Sequence, residues 1–169
     1  LSREYLRSVW MLSLAVLCAT SGPLIAQSGH TDRTEGDAEK TRILFVFDAS
    51  NSMNAYWGHN RKWDVATALL SASLDSLYGI DGLELGLRVY GHQTRHVQGM
   101  QDCDDTELLV PIGKGTNLVI RKELARLRAQ GTTPIARSLL HAADDFALTS
   151  GPGRNVIILI TDGIEACDE

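Results

Sequence analysis

The sequence predicts one α/β domain with a doubly wound, mostly parallel sheet and helices on both faces. Two short, unbroken apolar runs, 43–47 and 156–161, have the composition of strands that are covered on both sides. Segments with helical spacing of apolar residues lie between them, and strands that alternate with helices form parallel sheets through right-handed crossovers. A length of 169 residues suits a single domain of this kind with its own core.

The elements follow one another with distinct signals. The first strand ends at Asp48, and a helix is predicted over 63–78 because its apolar residues recur at three- and four-residue spacing. Leu83–Tyr90 alternates apolar and polar residues, which predicts a strand that is buried on one face. A polar loop then leads to a strand over 107–112. Pro111 places that strand at an edge, because proline has no N–H for a second neighbour.

The second half of the domain contains two more helices. Apolar spacing predicts one over 117–129, ended by Gly131. Thr133 and Pro134 predict the start of the other, with threonine as the cap and proline in the first turn. The residues expected on its inner face are Ile135, Leu139, Ala142 or Ala143, and Phe146.

Composition excludes several classes of protein. The chain has 16 lysine and arginine residues against 21 aspartate and glutamate residues, a net charge of −5, whereas a general nucleic-acid binder needs a basic surface. The hydrophobic share of 44% is that of a globular protein and not of a disordered one. Three cysteines are too few for a disulfide scaffold. No glycine-rich phosphate-binding motif follows the first strand, so a nucleotide ligand is not expected.

The first 26 residues have the order of a secretory signal peptide. Arg3 and Arg7 precede an apolar stretch at 9–19, a Ser-Gly-Pro breaker follows, and Ala26 supplies a small residue at the expected exit. The apolar stretch is shorter than the about 18 residues of a membrane-spanning helix, and an uncleaved membrane anchor is the alternative. The sequence therefore predicts an exported protein, which is periplasmic, secreted or bound at the cell surface.

Behind the signal peptide, a polar linker is predicted over 27–41 and the α/β domain over 42–169. The chain begins with Leu1 and stops at Glu169, directly after a strand-and-turn pattern. We therefore expect a fragment of a longer protein whose domain lacks its C-terminal part. The strand at 156–161 would then be an exposed edge, and we expect the isolated chain to be poorly soluble or unfolded.

Oxygen-bearing side chains gather where the predicted strands end. Asp48, Ser50 and Ser52 follow the first strand at alternating positions, Thr133 lies at a helix start, and Asp162 follows the later strand. Ligands of doubly wound sheets bind at the carboxyl ends of the central strands. Two carboxylates and three hydroxyls suit a hard divalent cation, and the absence of histidine and cysteine from these motifs argues against zinc.

These motifs resemble the metal-ion-dependent adhesion site of von Willebrand factor type A domains, over about residues 42–169. That pattern is Asp-x-Ser-x-Ser after the first strand, a threonine before the later helix and an aspartate after the fourth strand. Three further segments look like a secreted bacterial branch of the family: Tyr90-Gly91-His92, Cys103-Asp104-Asp105 and Asp162-Gly163-Ile164-Glu165-Ala166-Cys167.

The resemblance implies a mechanism of binding. In the family the two serines and the threonine contact the ion directly or through water, and the aspartates act largely through bound waters. Mg²⁺ suits such a site because it retains waters, with Mn²⁺ or Ca²⁺ as alternatives. An aspartate or glutamate carboxylate of a partner protein then completes the coordination. The implied function is a protein-binding or adhesion module, and not an enzyme.

Other interpretations remain open at this stage. Asp48 and Ser50 are also common turn residues, Thr133 a common helix cap, and Asp162-Gly163 a common turn. A metal-assisted hydrolase is the catalytic alternative, although no general base is recognisable near Asp48. A structural module with an empty site is the third possibility.

The loops near the site contain further candidates. Cys103 and Cys167 form a disulfide in one interpretation, while in the other Cys167 pairs with a cysteine beyond residue 169. Asp104 and Asp105 are candidates for a second cation or a partner contact, against the plainer expectation of a solvated loop. Three more side chains are assigned no metal role: His92 and His96 as loop residues, and Trp57 as a core or contact residue.

Overall fold

The computed structural model describes residues 40–167. The predicted signal peptide and all but the last two residues of the predicted linker lie outside them. The first strand begins at Lys40 and so extends into the predicted linker. The first residues of this strand are polar, yet Arg42 among them is buried. Its guanidinium donates to Glu84 and to the carbonyls of Ser150 and Gly151, so its polar groups are satisfied within the fold. No helix among the described residues is long and apolar enough to cross a membrane.

The described chain forms a four-stranded sheet, a small hairpin and three α-helices. In chain order they are β1 (Lys40–Asp48), β2 (Tyr56–Trp57), β3 (Asn60–Arg61), α1 (Lys62–Ser76), β4 (Leu83–Tyr90), β5 (Thr106–Gly113), α2 (Asn117–Leu124), α3 (Ile135–Asp145) and β6 (Gly153–Ile160). Short 3-10 turns occupy Asn51–Asn54 and Phe146–Leu148.

The sheet has the strand order β5-β4-β1-β6. β1 pairs in parallel with both β4 and β6, and β5 pairs antiparallel with β4 at the edge, as Pro111 predicts. Among the described residues β6 pairs only with β1, and Ile157 and Ile158 are each 37% exposed. The predicted α/β class with a mostly parallel sheet is confirmed.

Helices cover both faces of the sheet because side chains alternate along β1. Phe45 and Phe47 point into the larger core, which contains residues of α1 and α2 such as Leu70 and Ile120. Leu44 and Val46 point into the smaller core on the other face, with Ala142 of α3. The unbroken apolar run of β1 is therefore explained by burial on both sides.

β4 differs from its prediction as a strand buried on one face. Six of its residues are buried, including Arg88. The guanidinium of Arg88 donates from Nε and Nη2 to the two oxygens of Asp145, at 2.7 and 2.8 Å. The polar residue of the alternating pattern thus faces α3 instead of solvent, because a buried carboxylate compensates its charge.

The helix ends also differ from the prediction. α2 stops at Leu124, and the chain then turns so that the N–H of Gln130 donates to the carbonyl of Ala49 at 2.8 Å. α3 begins at Ile135 with Pro134 as its cap, and no side chain caps that end from the cap position. The prediction of Thr133 as the cap is wrong, because Glu165 accepts the N–H of Ala136 at 2.7 Å instead.

The Arg88–Asp145 pair gives a testable prediction about stability. Arg88→Met should lower the free energy of unfolding by about 3–5 kcal/mol, because it leaves the buried Asp145 carboxylate without a cation. Urea unfolding followed by circular dichroism measures this. Arg126→Met is the matched control, since Arg126 forms an exposed pair with Glu123, and it should change the free energy by less than about 1 kcal/mol. Equal effects of the two substitutions would contradict the prediction.

Candidate metal centre

Asp48 is the last residue of β1 and is fully buried. Its Oδ1 accepts the N–H of Ser50 at 2.7 Å, and its Oδ2 accepts the hydroxyl of Thr161 at 2.7 Å. Among the described residues, no lysine, arginine or histidine nitrogen lies within 4 Å of this carboxylate. A buried negative charge with hydrogen bonds but without a cation is costly, which makes Asp48 the unusual feature of this region.

The two serines lie in the loop directly after β1. Ser50 precedes the 3-10 turn, but its side chain does not cap that turn. Its Oγ lies instead 2.9 Å from Oγ of Ser52, and Ser52 donates to Oδ1 of Asp162 at 2.8 Å. A chain of hydrogen bonds therefore connects the two serines to the aspartate after β6.

Thr133 enters the same region from the segment before α3. It is buried, and a Cβ placed on Gly163 would lie 3.2 Å from its Cγ2 and 3.7 Å from Oδ2 of Asp48. Gly163 is thus in near contact with both residues. Because Glu165 satisfies the N–H of Ala136 in α3, the hydroxyl of Thr133 is not used as a helix cap.

Backbone contacts between glycines hold these segments together. Gly91 has φ = +71°, and a Cβ there would lie 2.5 Å from the carbonyl of Thr132 and 2.9 Å from Cα of Ser50. A Cβ at Gly131 would lie 2.7 Å from the carbonyl carbon of Gly91. The N–H of Asn51 also donates to the carbonyl of Gly131 at 2.9 Å. The approach of the loops therefore requires residues without side chains.

The structure thus brings the five predicted site residues to the carboxyl ends of β1 and β6. Their donor set consists of hydroxyl and carboxylate oxygens, the ligands that Mg²⁺ and Ca²⁺ take. No group of three or more histidine, cysteine, aspartate or glutamate side chains within residues 40–167 is arranged to hold a metal. The chemistry and the uncompensated Asp48 fit a hard divalent cation, and the ion itself stays a prediction.

Tyr90 contributes a second unusual group. It pairs with Asp48 in the register of β1 and β4, and it is fully buried. Its hydroxyl has no hydrogen-bond partner among the described residues. Burial raises the pKa of this hydroxyl far above its usual value, and the negative charge of Asp48 acts in the same direction. Tyr90 is therefore a neutral group beside the buried carboxylate, and its sequence position gave no sign of this.

Sequence reasoning missed four other residues near the site. The hydroxyl of Thr161 donates to Asp48, and Glu165 accepts the N–H of Ala136 at the start of α3. Lys62 forms an ion pair with Asp162. His96, assigned to an ordinary loop, lines a cavity of about 220 Å³ together with Ser52 and Thr133. The proximity of strand ends could have indicated Thr161, whereas Lys62, Glu165 and His96 are placed by tertiary contacts.

The sequence favours a solvated acidic loop, and the structure agrees for Asp104 but not for Asp105. Asp105 is buried, and its carboxylate accepts the N–H groups of His92, Gln93 and Thr94 at 3.0–3.2 Å. Its oxygens therefore organise the loop after β4, a different role from binding a second cation. Asp104 is exposed and forms an ion pair with Arg137.

Cys103 and Cys167 form a disulfide, with their Cα atoms 5.6 Å apart. The bond connects the loop before β5 to the segment after β6, across 64 positions of sequence. It therefore fixes two segments beside the candidate site to each other.

Comparison with known proteins gives relatives for this fold. No protein-family model matches the chain. It is 32% identical to the uncharacterized protein YwmD of Bacillus subtilis over 129 residues, which are 75% of this chain and 57% of YwmD. The chain thus spans little more than half the length of that relative.

Solved structures share the architecture. An aerotolerance-related membrane protein from Bacteroides fragilis matches with a TM-score of 0.55 and 26% identity, over 75% of this chain and 56% of that one. The vWF domain of the type V pili tip protein Mfa5 from Porphyromonas gingivalis matches with a TM-score of 0.56 and 20% identity, over 75% and 39%. The fold of this chain is therefore similar to that of von Willebrand factor type A domains.

The role of Asp105 can be tested against its neighbour. Asp105→Asn should lower the free energy of unfolding by about 1–3 kcal/mol, because one amide oxygen replaces two charged acceptors for three backbone N–H groups. Asp104→Asn, the same change one residue earlier on an exposed side chain, should cost less than about 0.5 kcal/mol. Urea unfolding of the two variants measures the difference. If Asp104→Asn proves as costly as Asp105→Asn, the assignment is wrong.

The disulfide also has a measurable effect. Replacing Cys103 and Cys167 with serine should lower the free energy of unfolding by about 4 kcal/mol, because the bond closes a long loop in the unfolded chain. The double variant should be insensitive to dithiothreitol, whereas the parent should lose stability when it is reduced. A parent whose urea midpoint does not move on reduction would show that the bond does not form.

Proposed function

We propose that this chain is a divalent-cation-dependent protein-binding module of an exported protein. The observation that carries the proposal is the fully buried carboxylate of Asp48, which has no cation within 4 Å among the described residues and adjoins the connected hydroxyls of Ser50 and Ser52. Such a charge is stabilised when a cation binds beside it.

The residues that would hold the ion are Ser50, Ser52 and Thr133, with Asp48 and Asp162 behind them. When bound, the ion supplies an electrophilic position for an oxygen ligand. Neutral hydroxyls leave most of the ion's charge uncompensated, and Asp48 and Thr161 fix the β1 end through their hydrogen bond. Mg²⁺ is the preferred ion because it binds few carboxylates and retains waters, with Mn²⁺ and Ca²⁺ as the alternatives.

The proposed ligand is an aspartate or glutamate carboxylate of a partner protein. An acid completes the coordination because the hydroxyl donors leave the site electrophilic. The similarity in fold to a domain of a pilus tip protein and to a membrane protein supports an exported or surface location. The predicted signal peptide is a second, independent argument for export.

We propose binding and not catalysis as the activity of this site. The metal-assisted hydrolase is the alternative, and one observation favours it: His96 lines the same cavity as Ser52 and Thr133 and would be its general base. The third hypothesis is a structural module whose site binds no ion. Metal titration and a hydrolysis screen separate the three.

The test is titration of the full chain with Mg²⁺ and Mn²⁺ by calorimetry, with melting curves in EDTA. The parent should bind one ion, and Asp48→Asn and Ser50→Ala should abolish binding. Asp48→Asn should also raise the melting temperature in EDTA by at least about 2 °C, because it removes an uncompensated buried charge. Its amide oxygen still accepts the N–H of Ser50, and its NH2 group donates to the hydroxyl oxygen of Thr161 instead of accepting from it. Ser73→Ala is the control, since Ser73 is an exposed serine whose hydroxyl donates to the carbonyl of Leu69 in its own helix.

Two further measurements test the proposed carboxylate ligand and the hydrolase alternative. Peptides that carry aspartate or glutamate should bind in Mg²⁺ and not in EDTA, and their asparagine or glutamine counterparts should not bind in either buffer. Metal-dependent ester or phosphoester turnover that is lost in His96→Ala would establish the hydrolase instead. A parent that takes up no divalent ion would reduce the domain to a structural role.

A further inference from the structure

The two carboxylates of the candidate site differ in their charge partners. Asp48 has no cation within 4 Å among residues 40–167, as described above. Asp162 forms an ion pair through Oδ2 with the ammonium of Lys62, the first residue of α1. Its other oxygen accepts the hydroxyl of Ser52 at 2.8 Å. The ammonium is therefore separated from the serine hydroxyl by one carboxylate.

The Lys62–Asp162 pair is held in place and yet remains in contact with solvent. The side chains are 30% and 13% exposed. Lys62 also begins a helix, whose N-terminal end adds a partial positive charge at the same position. A fixed positive charge thus lies beside the residues that would hold the ion, which is the opposite of what tight cation binding needs.

We propose that Lys62 is a tethered counter-cation that competes with the divalent ion for Asp162. Without the ion, the ammonium neutralises Asp162 and keeps the Ser52–Asp162 hydrogen bond formed. With the ion, the same ammonium repels it and weakens its binding. This inference rests on the proposed function, and it adds that the affinity of the site is limited by one residue.

Coulomb's law gives the size of the effect. A single positive charge about 6 Å from a divalent ion, at the dielectric constant of water, weakens binding about tenfold. Loss of the ammonium should therefore tighten binding by about that factor. If Lys62 only stabilised the fold, its replacement would leave the affinity for the divalent ion unchanged. If Lys62 instead positioned Asp162 for the ion, its replacement would weaken ion binding.

The chain contains a matched control for this substitution. Lys40 forms an ion pair with Glu84, and the side chains are 33% and 13% exposed. Lys40 lies at the opposite end of β1 from Asp48, about 26 Å along the strand. The two lysines therefore have similar exposures, and only Lys62 adjoins the candidate site. Glu84 also pairs with Arg42, so it keeps one cation when Lys40 is replaced.

The experiment compares the 169-residue parent with Lys62→Met, Lys62→Gln, Lys62→Arg and Lys40→Met. Mn²⁺ and Mg²⁺ affinities are measured by calorimetry, and melting temperatures in EDTA and in saturating Mn²⁺. Both neutral Lys62 variants should bind Mn²⁺ about tenfold more tightly and show a larger rise in melting temperature on adding Mn²⁺. Lys62→Arg and Lys40→Met should bind as the parent does. In EDTA, Lys62→Met should melt a few degrees lower because Asp162 loses its ion pair, and Lys40→Met should lose less because Arg42 still pairs with Glu84.

The outcomes separate this inference from the proposed function. Unchanged or weaker Mn²⁺ binding by both neutral variants, with a parent that binds, overturns the role of Lys62 and leaves the metal site intact. Binding by the neutral variants but not by the parent supports the inference strongly. If neither the parent nor any variant takes up a divalent ion, both proposals are wrong. Lys62→Gln keeps the test decisive if Lys62→Met fails to fold.

Discussion

Asp48 is a carboxylate buried at the end of β1, and the candidate site is arranged around its two oxygens. One oxygen fixes the turn that presents Ser50, and the other accepts the hydroxyl of Thr161 from the neighbouring strand. Both donors are uncharged groups, so these hydrogen bonds position the carboxylate without compensating its charge. The stability of this end of the sheet therefore depends on what neutralises Asp48, and this is the observation on which the proposed cation rests.

Other buried charges in the domain show the contrast. Arg88 is compensated by the bidentate contact with Asp145 between β4 and α3. Arg42 pairs with Glu84, and Asp105 is surrounded by backbone N–H donors. Each of these groups is satisfied within the described chain and has a structural role. Asp48 differs from Arg88 and Arg42 in having no opposite charge, and from Asp105 in accepting only two hydrogen bonds, whereas Asp105 accepts the N–H groups of three residues.

The loops around the site are held together from several directions. Gly91 and Gly131 allow backbone segments to approach without side chains, the disulfide fixes the segment after β6, and Glu165 ties that segment to the start of α3. Because Glu165 satisfies the helix end, Thr133 can face the site. A rigid frame of this kind keeps the hydroxyls in place without the ion, so little conformational ordering would accompany binding.

The sequence by itself determined the fold class, the end of β1 at Asp48, and which oxygen-bearing residues lie together at that edge of the sheet; that these residues bind a metal stays a prediction. It could do so because apolar periodicity reports burial locally, and because the carboxyl ends of parallel strands must lie at one edge of the sheet. Only the tertiary structure decided which other residues lie near the site, among them Lys62, Tyr90 and His96. It also decided that Arg88 and Asp105 are buried, and that Glu165 accepts the free N–H at the start of α3. These features depend on contacts between segments that are far apart in the chain. The sequence could not predict them, because a charged or polar residue has the same local sequence pattern whether its partner is water or another buried side chain.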